Sequence, residues 1–292
     1  MVVISFLLFF GIFFNPSPLL AQTHPGYEKF NLSTKDEAQI LFARGHYKES
    51  IEKFKAVLEL ESETSSVFRT MLKGWKAMDN LNDAEQFLQN YQSEKGDSSA
   101  LWYAFGYLNY LKANYEKAEK NFNRALKMNA ENGLAWNNWG AILSQRKQYT
   151  LAVAKVKKAI QADPKEPMFF WNLHKIYQEM GEPDRFANEY KNLPQQNSKK
   201  WSYGKTLVRV IRQRAFAAYS KGQLDNAIRG FEDILKIYQE IGDIKGQVPA
   251  LFSLGLLNEE KGNAEKAQKY FVQVLAINPN HIQARDKIKP LD

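Results

Sequence analysis

Residues 101–164 read LWYAFGYLNYLKANYEKAEKNFNRALKMNAENGLAWNNWGAILSQRKQYTLAVAKVKKAIQADP, and this stretch decides the fold. Trp102 and Trp136 lie 34 residues apart, and the same offset joins Gly106 to Gly140, Tyr115 to Tyr149, Ala118 to Ala152 and Ala125 to Ala159. A fixed period of this length marks stacked units that bury their apolar stripes on one another. Working outward, Phe68, Ala84, Leu88, Ser50 and Phe54 fall in phase on one side, and Phe170, Leu173 and Tyr177 on the other. Further on the spacing is 40, joining Gly222 to Gly262, Ala227 to Ala267, Phe231 to Phe271 and Leu235 to Leu275.

The pattern Trp102-x2-Phe105-Gly106, Ala118-x3-Phe122, Ala125 resembles the tetratricopeptide repeat, as do Trp136-x2-Trp139-Gly140, Ala152-x3-Val156, Ala159, Pro164. The last copy, Leu254-Gly255, Ala267-x3-Phe271, Pro279, is nearly complete. The resemblance covers residues 31–289 and implies an all-α chain. It would be an α-solenoid, a right-handed superhelix of about seven helix-turn-helix repeats with a groove lined by the first (A) helix of each. The repeats run 31–64, 65–98, 99–132, 133–166, 167–197, 198–247 and 248–281, with a closing helix at 281–289 capped by Asn280. Gly106 and Ala118 are small where the two helices of a repeat cross, and Phe122 fills the space beside them. Gly45, Gly181, Gly222 and Gly262 sit between helices, where a left-handed residue is cheap only for glycine.

Repeat 167–197 departs from the pattern. His174 stands at the Gly position and Phe186 at the Ala position, and Leu193-Pro194-Gln195-Gln196-Asn197-Ser198 follows. An irregular repeat with a bend near 174–198 is expected, splitting the array into subarrays 31–197 and 198–292. Repeat six reads as extended, with helices at 199–220 and 224–241 and an insert at 242–247.

The chain has 292 residues, 44% of them apolar, so a sizeable core is available. It has no cysteine, which excludes disulfides, thiolate metal sites and a cysteine nucleophile. Residues 2–14 (VVISFLLFFGIFF) are apolar apart from Ser5 and Gly11, and Asn15-Pro16-Ser17-Pro18 breaks the run. This reads as a signal peptide over 1–21 followed by a linker at 22–30, placing the mature protein in the periplasm or outside the cell. The alternative is an uncleaved anchor facing out of the cytoplasm. A helix over 1–14 spans only about 21 Å at 1.5 Å per residue, against a hydrocarbon core of about 30 Å.

Forty Lys and Arg against 32 Asp and Glu give +8, and the excess is local. Between Tyr190 and Leu224 there are eight bases and no acid. Arg209, Arg212, Phe216 and Tyr219 form one helical stripe expected to face the groove, suited to an acidic peptide or an anionic polymer. Tyr103, Tyr107 and Tyr110, with Asn137 and Asn138 and then Trp171 and Lys175, form a second candidate groove surface for an extended peptide. Both sets can instead serve packing between helices. The family's best-known carboxylate clamp, which takes chaperone C-termini, is matched only at Asn138, so that use is rejected.

The four histidines are scattered and form no metal motif, and no phosphate loop, dinucleotide fingerprint or nucleophile elbow occurs. The expectation is therefore no enzyme, no metal, no cofactor, no small-molecule substrate and no nucleic acid. The partner is a protein or peptide, held by an exported adaptor. The alternative is a structural or assembly component of the cell envelope, touching membrane only through residues 1–21 if these are uncleaved.

Overall fold

The computed structural model describes residues 33–60 and 64–288; the expected signal peptide and linker lie outside them, as does residue 289, the last of the expected closing segment. All regular structure among the described residues is helical. Seven antiparallel pairs follow one another: α1 Thr34–Ala43 and α2 Tyr47–Leu60, α3 Ser65–Ala77 and α4 Leu81–Lys95, α5 Ser99–Leu111 and α6 Tyr115–Met128, α7 Gly133–Gln145 and α8 Tyr149–Ala162, α9 Pro167–Glu179 and α10 Arg185–Lys191, α11 Lys200–Ser220 and α12 Leu224–Glu240, α13 Ile244–Glu260 and α14 Ala264–Ile277. A short helix, α15 Ile282–Lys287, closes the array. Each helix packs on the next. The A helices α3, α5, α7, α9 and α11 also pack side by side, which makes the chain an α-solenoid.

Local chemistry sets the boundaries. Ser98 Oγ accepts the Leu101 amide at 3.0 Å and Asn132 Oδ1 accepts the Ala135 amide at 3.2 Å, starting α5 and α7. The turns between paired helices use a left-handed residue. Gly45, Gly181, Gly222 and Gly262 have φ of 73–86°, as their spacing predicts. The same corner in the second, third and fourth pairs is made by Asp79, Ala113 and Lys147, at φ 54°, 59° and 60°. These three non-glycine corners are strained.

The crossing of each pair is closest at the expected glycines. A Cβ on Gly106 would lie 2.5 Å from the Phe122 ring, one on Gly140 2.7 Å from Val156 Cγ2, and one on Gly255 2.4 Å from Phe271. At the corresponding place α9 carries His174, which meets Phe186 of α10 edge-on at 5.4 Å. The second helix of this pair, α10, has seven residues, against 14 in α6 and α8.

The apolar core nevertheless continues through it. Phe170 and Phe186 both pack on Tyr203 of α11, with centroids at 4.8 Å, so no break in the core falls at 197–198. A polar hub joins the same elements. The Glu189 carboxylate of α10 accepts from Tyr177 of α9 and Tyr203 of α11, both at 2.7 Å, and from Lys157 of α8 at 2.8 Å. Burial pushes its carboxyl upward, but the bonds from Lys157, Tyr177 and Tyr203 outweigh it and hold the group below the usual range.

Two other expectations change. Residues 242–247 are not an insert: Asp243 accepts the Gly246 amide at 2.9 Å and caps α13, and residues 244–247 form its first turn. The 40-residue spacing comes from helices of 17 residues each in α12 and α13. The closing helix is capped by His281 rather than Asn280, its Nδ1 accepting the Ala284 amide at 3.2 Å.

Candidate functional site

Residues one repeat apart share a face, so the 34-residue period sets two rows across α3, α5, α7 and α9. One is Arg69, Tyr103, Asn137 and Trp171; the other is Lys73, Tyr107, Ala141 and Lys175. The guanidinium of Arg69 reaches Met168 Sδ on α9 at 2.6 Å, 99 residues further along the chain. The A helices must curve toward one another on this side for one side chain to span them. The two rows therefore line the concave face.

Its floor is a chain of hydrogen bonds. Asn172 Nδ2 donates to Asn137 Oδ1 at 2.8 Å, Asn137 Nδ2 to Asn138 Oδ1 at 3.1 Å, and Asn138 Nδ2 to Tyr103 Oη at 3.0 Å. Gln145 Nε2 donates to Tyr110 Oη at 3.3 Å, and Ser144 Oγ to Glu179 Oε2 at 2.5 Å. Tyr103, Tyr107 and Tyr110 stack along α5, with centroids 6.0 Å apart in each step. Burial pushes the Tyr103 and Tyr107 hydroxyls up, against the opposing charge of Arg69.

This placement corrects several expectations. Tyr103, Asn137 and Asn138 are buried, so they support the groove instead of presenting themselves to a ligand. Their polar atoms are spent on neighbouring repeats, because a buried amide or hydroxyl must find a partner. Tyr107 is buried too, while Tyr110 and Trp171 are half-buried and Lys175 is exposed.

The α11 stripe divides in the same way. Arg209 is exposed and lies over the Trp171 ring at 4.2 Å, joining the concave rows. Arg212 instead donates to Tyr238 Oη on α12 at 2.9 Å. Phe216 packs edge-on to Phe231 at 5.5 Å, and Tyr219 Oη donates to Glu260 on α13 at 2.9 Å. These three hold helices together. Part of the basic excess is also spent internally: Lys205 pairs with Asp243 at 2.6 Å, and Lys200 is buried against Tyr190.

Two groove residues escape the sequence reading, Arg69 and Lys73. Their signal was the phase itself, 34 residues before Tyr103 and Tyr107, in a repeat whose consensus is weak. Arg69 Nε is buried without a hydrogen-bond partner. The Lys73 ammonium is held below its usual range by burial first and by the Arg69 charge second, with Glu166 opposing. Among the described residues, none of Arg69, Lys73, Lys175 and Arg209 lies within ion-pair distance of a carboxylate. Lysines and arginines on other helices do, as in Lys53–Glu37 at 2.6 Å, Arg146–Glu119 at 2.8 Å and Lys266–Glu232 at 2.9 Å.

At one edge of the groove the first turns of α3, α5 and α7 converge on a cleft of about 510 Å³. Asn132 Nδ2 ties its wall, donating to Ser65 Oγ at 2.9 Å and to Ser99 Oγ at 3.0 Å. Arg69 lines it together with Glu131, Asp163 and Glu166. Among the described residues no cluster of three His, Asp or Glu could hold a metal ion, and no helix is long and apolar enough to cross a membrane.

Sequence profiles described as tetratricopeptide repeat match residues 103–167 and 207–280. No curated protein sequence matches the chain. Among solved structures, it is similar to the C-terminal part of a TPR repeat-containing protein from Cytophaga hutchinsonii. The identity there is 16% and the TM-score 0.41, covering 87% of this chain and 99% of that one. It is also similar to pilF of Pseudomonas aeruginosa, at 17% identity and TM-score 0.44, covering 76% and 95%. A third, YrrB, is described as a TPR protein with an unusual peptide-binding site; identity is 18% and TM-score 0.34, covering 68% and 96%.

Proposed function

We propose that this tetratricopeptide-repeat protein acts without catalysis, as an exported scaffold that holds an acidic segment of a partner protein along its concave face. The observation that carries the reading is the pair Arg69 and Lys73. Two cations one helical turn apart share a partly desolvated space, one with an orphaned donor, and neither ion-pairs among the described residues. Like charges held together out of water are costly unless an anion joins them. Lys175 and Arg209 extend the same sign along the face, and the stacked tyrosines keep its floor rigid. Export rests on the apolar run at 2–14 and the breaker after it.

The test uses the full chain and a fluorescein-labelled peptide of ten glutamates, read by anisotropy. Binding is expected at about 50 mM salt and should weaken steeply by about 500 mM, where screening is several-fold shorter in range. The double variant Arg69→Gln/Lys73→Gln should bind about tenfold or more weakly, since each charged hydrogen bond lost costs about 1.5–3 kcal/mol. Equal affinity for the variant and the parent overturns the assignment of this face. Export is tested separately by N-terminal sequencing of the protein from the expressing cell. A start at Gln22 supports it; a chain retaining Met1 in the soluble cytoplasmic fraction opposes it.

A further inference from the structure

His174 has no role in the groove chemistry above, and its surroundings are unusual. It stands on α9 where the phase of Gly106 and Gly140 calls for glycine, at the closest crossing of a helix pair. Its side chain is buried, with 2% of the residue exposed, and Nδ1 has no hydrogen-bond partner. The imidazole lies between two aromatic rings, Trp171 at 5.6 Å on its own helix and Phe186 at 5.4 Å on α10.

The charged neighbours all disfavour an imidazolium. From α11 the Arg214 guanidinium acts on it with like charge. On α10 the Glu189 carboxylate is engaged by Tyr177, Tyr203, Lys157 and Arg185. No carboxylate among the described residues offsets a positive charge on His174.

We propose that His174 makes the packing of α9, α10 and α11 acid-labile, so that mild acidification opens the irregular repeat and disturbs the Trp171–Arg209 end of the concave face. The neutral imidazole fits the aromatic box; a buried imidazolium has no carboxylate among the described residues to offset it there. Burial and Arg214 both hold the folded-state proton affinity below the ordinary value. A group depressed in this way contributes stability above its unfolded titration near pH 6.5, and that stability is lost as pH falls toward the folded value. One such group shifts the opening equilibrium by up to about tenfold per pH unit well below that point, or at most about sixteenfold between pH 6.5 and 5.

The experiment is proton–carbon NMR of the histidine Cε1 groups in the full chain, with urea unfolding at pH 7, 6 and 5. His174 is assigned by its loss in His174→Asn and, should that variant fold poorly, in His174→Gly, which restores the residue of the regular repeats. His174 should stay neutral through the ordinary histidine range and take up its proton only below it. Arg214→Gln should move its titration upward. The parent's urea midpoint should fall more between pH 7 and 5 than that of either His174 variant. A His174 that titrates at the ordinary value, or variants that share the parent's pH slope, overturns the proposal.

Discussion

Gly106 and Ala113 lie in one helix hairpin, and exchanging the two residue types should move stability in opposite directions. Gly106→Ala gains about 1 kcal/mol of helix propensity. Its new methyl, however, would sit 2.5 Å from Cδ1 and Cε1 of Phe122. That ring is fully buried and backed by Tyr103 at 5.8 Å, itself stacked on Tyr107 and bonded to Asn138, so it has nowhere to retreat. Overpacking of this kind costs about 1–3 kcal/mol, and the tight backing favours the upper part of that range, leaving a net loss of about 1–2 kcal/mol. Ala113 holds φ at 59°, a conformation that costs a non-glycine residue about 1–2 kcal/mol. Ala113→Gly removes that strain but adds about 0.4–1 kcal/mol of unfolded-chain entropy, for a net gain of about 0.5–1 kcal/mol. Urea unfolding followed by circular dichroism at 222 nm reads both. The slope should stay constant, with the midpoint falling for one variant and rising for the other. A Gly106→Ala protein as stable as the parent would refute the close-crossing argument, and a destabilised Ala113→Gly would refute the strain argument.

Other outcomes follow from single contacts. Tyr103→Phe leaves the buried Asn138 amide without its acceptor and should cost about 1–3 kcal/mol by the same urea assay. Glu189→Gln removes the charge that gathers Lys157, Tyr177 and Tyr203, and should cost about 2–3 kcal/mol at pH 7. Because the folded Glu189 carboxyl is depressed, its contribution is present above the unfolded value near 4.3 and disappears as pH falls below it, so parent and variant should converge in stability toward pH 3. Arg124→Ala exposes the Trp102 face that the guanidinium covers at 3.7 Å and should cost about 0.5–1 kcal/mol, visible as a change in tryptophan emission as well as in midpoint.

The sequence by itself determined the helical pairs, their order and the places where they cross. Trp102, Gly106, Ala118 and Phe122 recur at a fixed offset because each repeat must present the same surface to its neighbour, and such a constraint is written in spacing and size alone. His174 and Phe186 were legible as an irregularity for the same reason. Spacing also marked which residues share the concave side, Tyr103 and Trp171 among them. It could not say which of them remain available there. That depends on curvature and on partners in other repeats: Asn138 buries the Tyr103 hydroxyl, Tyr238 takes up Arg212, and Glu260 takes up Tyr219. Arg69 and Lys73 stand out for the complementary reason, since only the folded chain shows that no carboxylate among the described residues comes within ion-pair distance of them. A side chain's polar atoms are spent or spare according to neighbours 30 to 100 residues away, and those distances exist only once the helices have stacked.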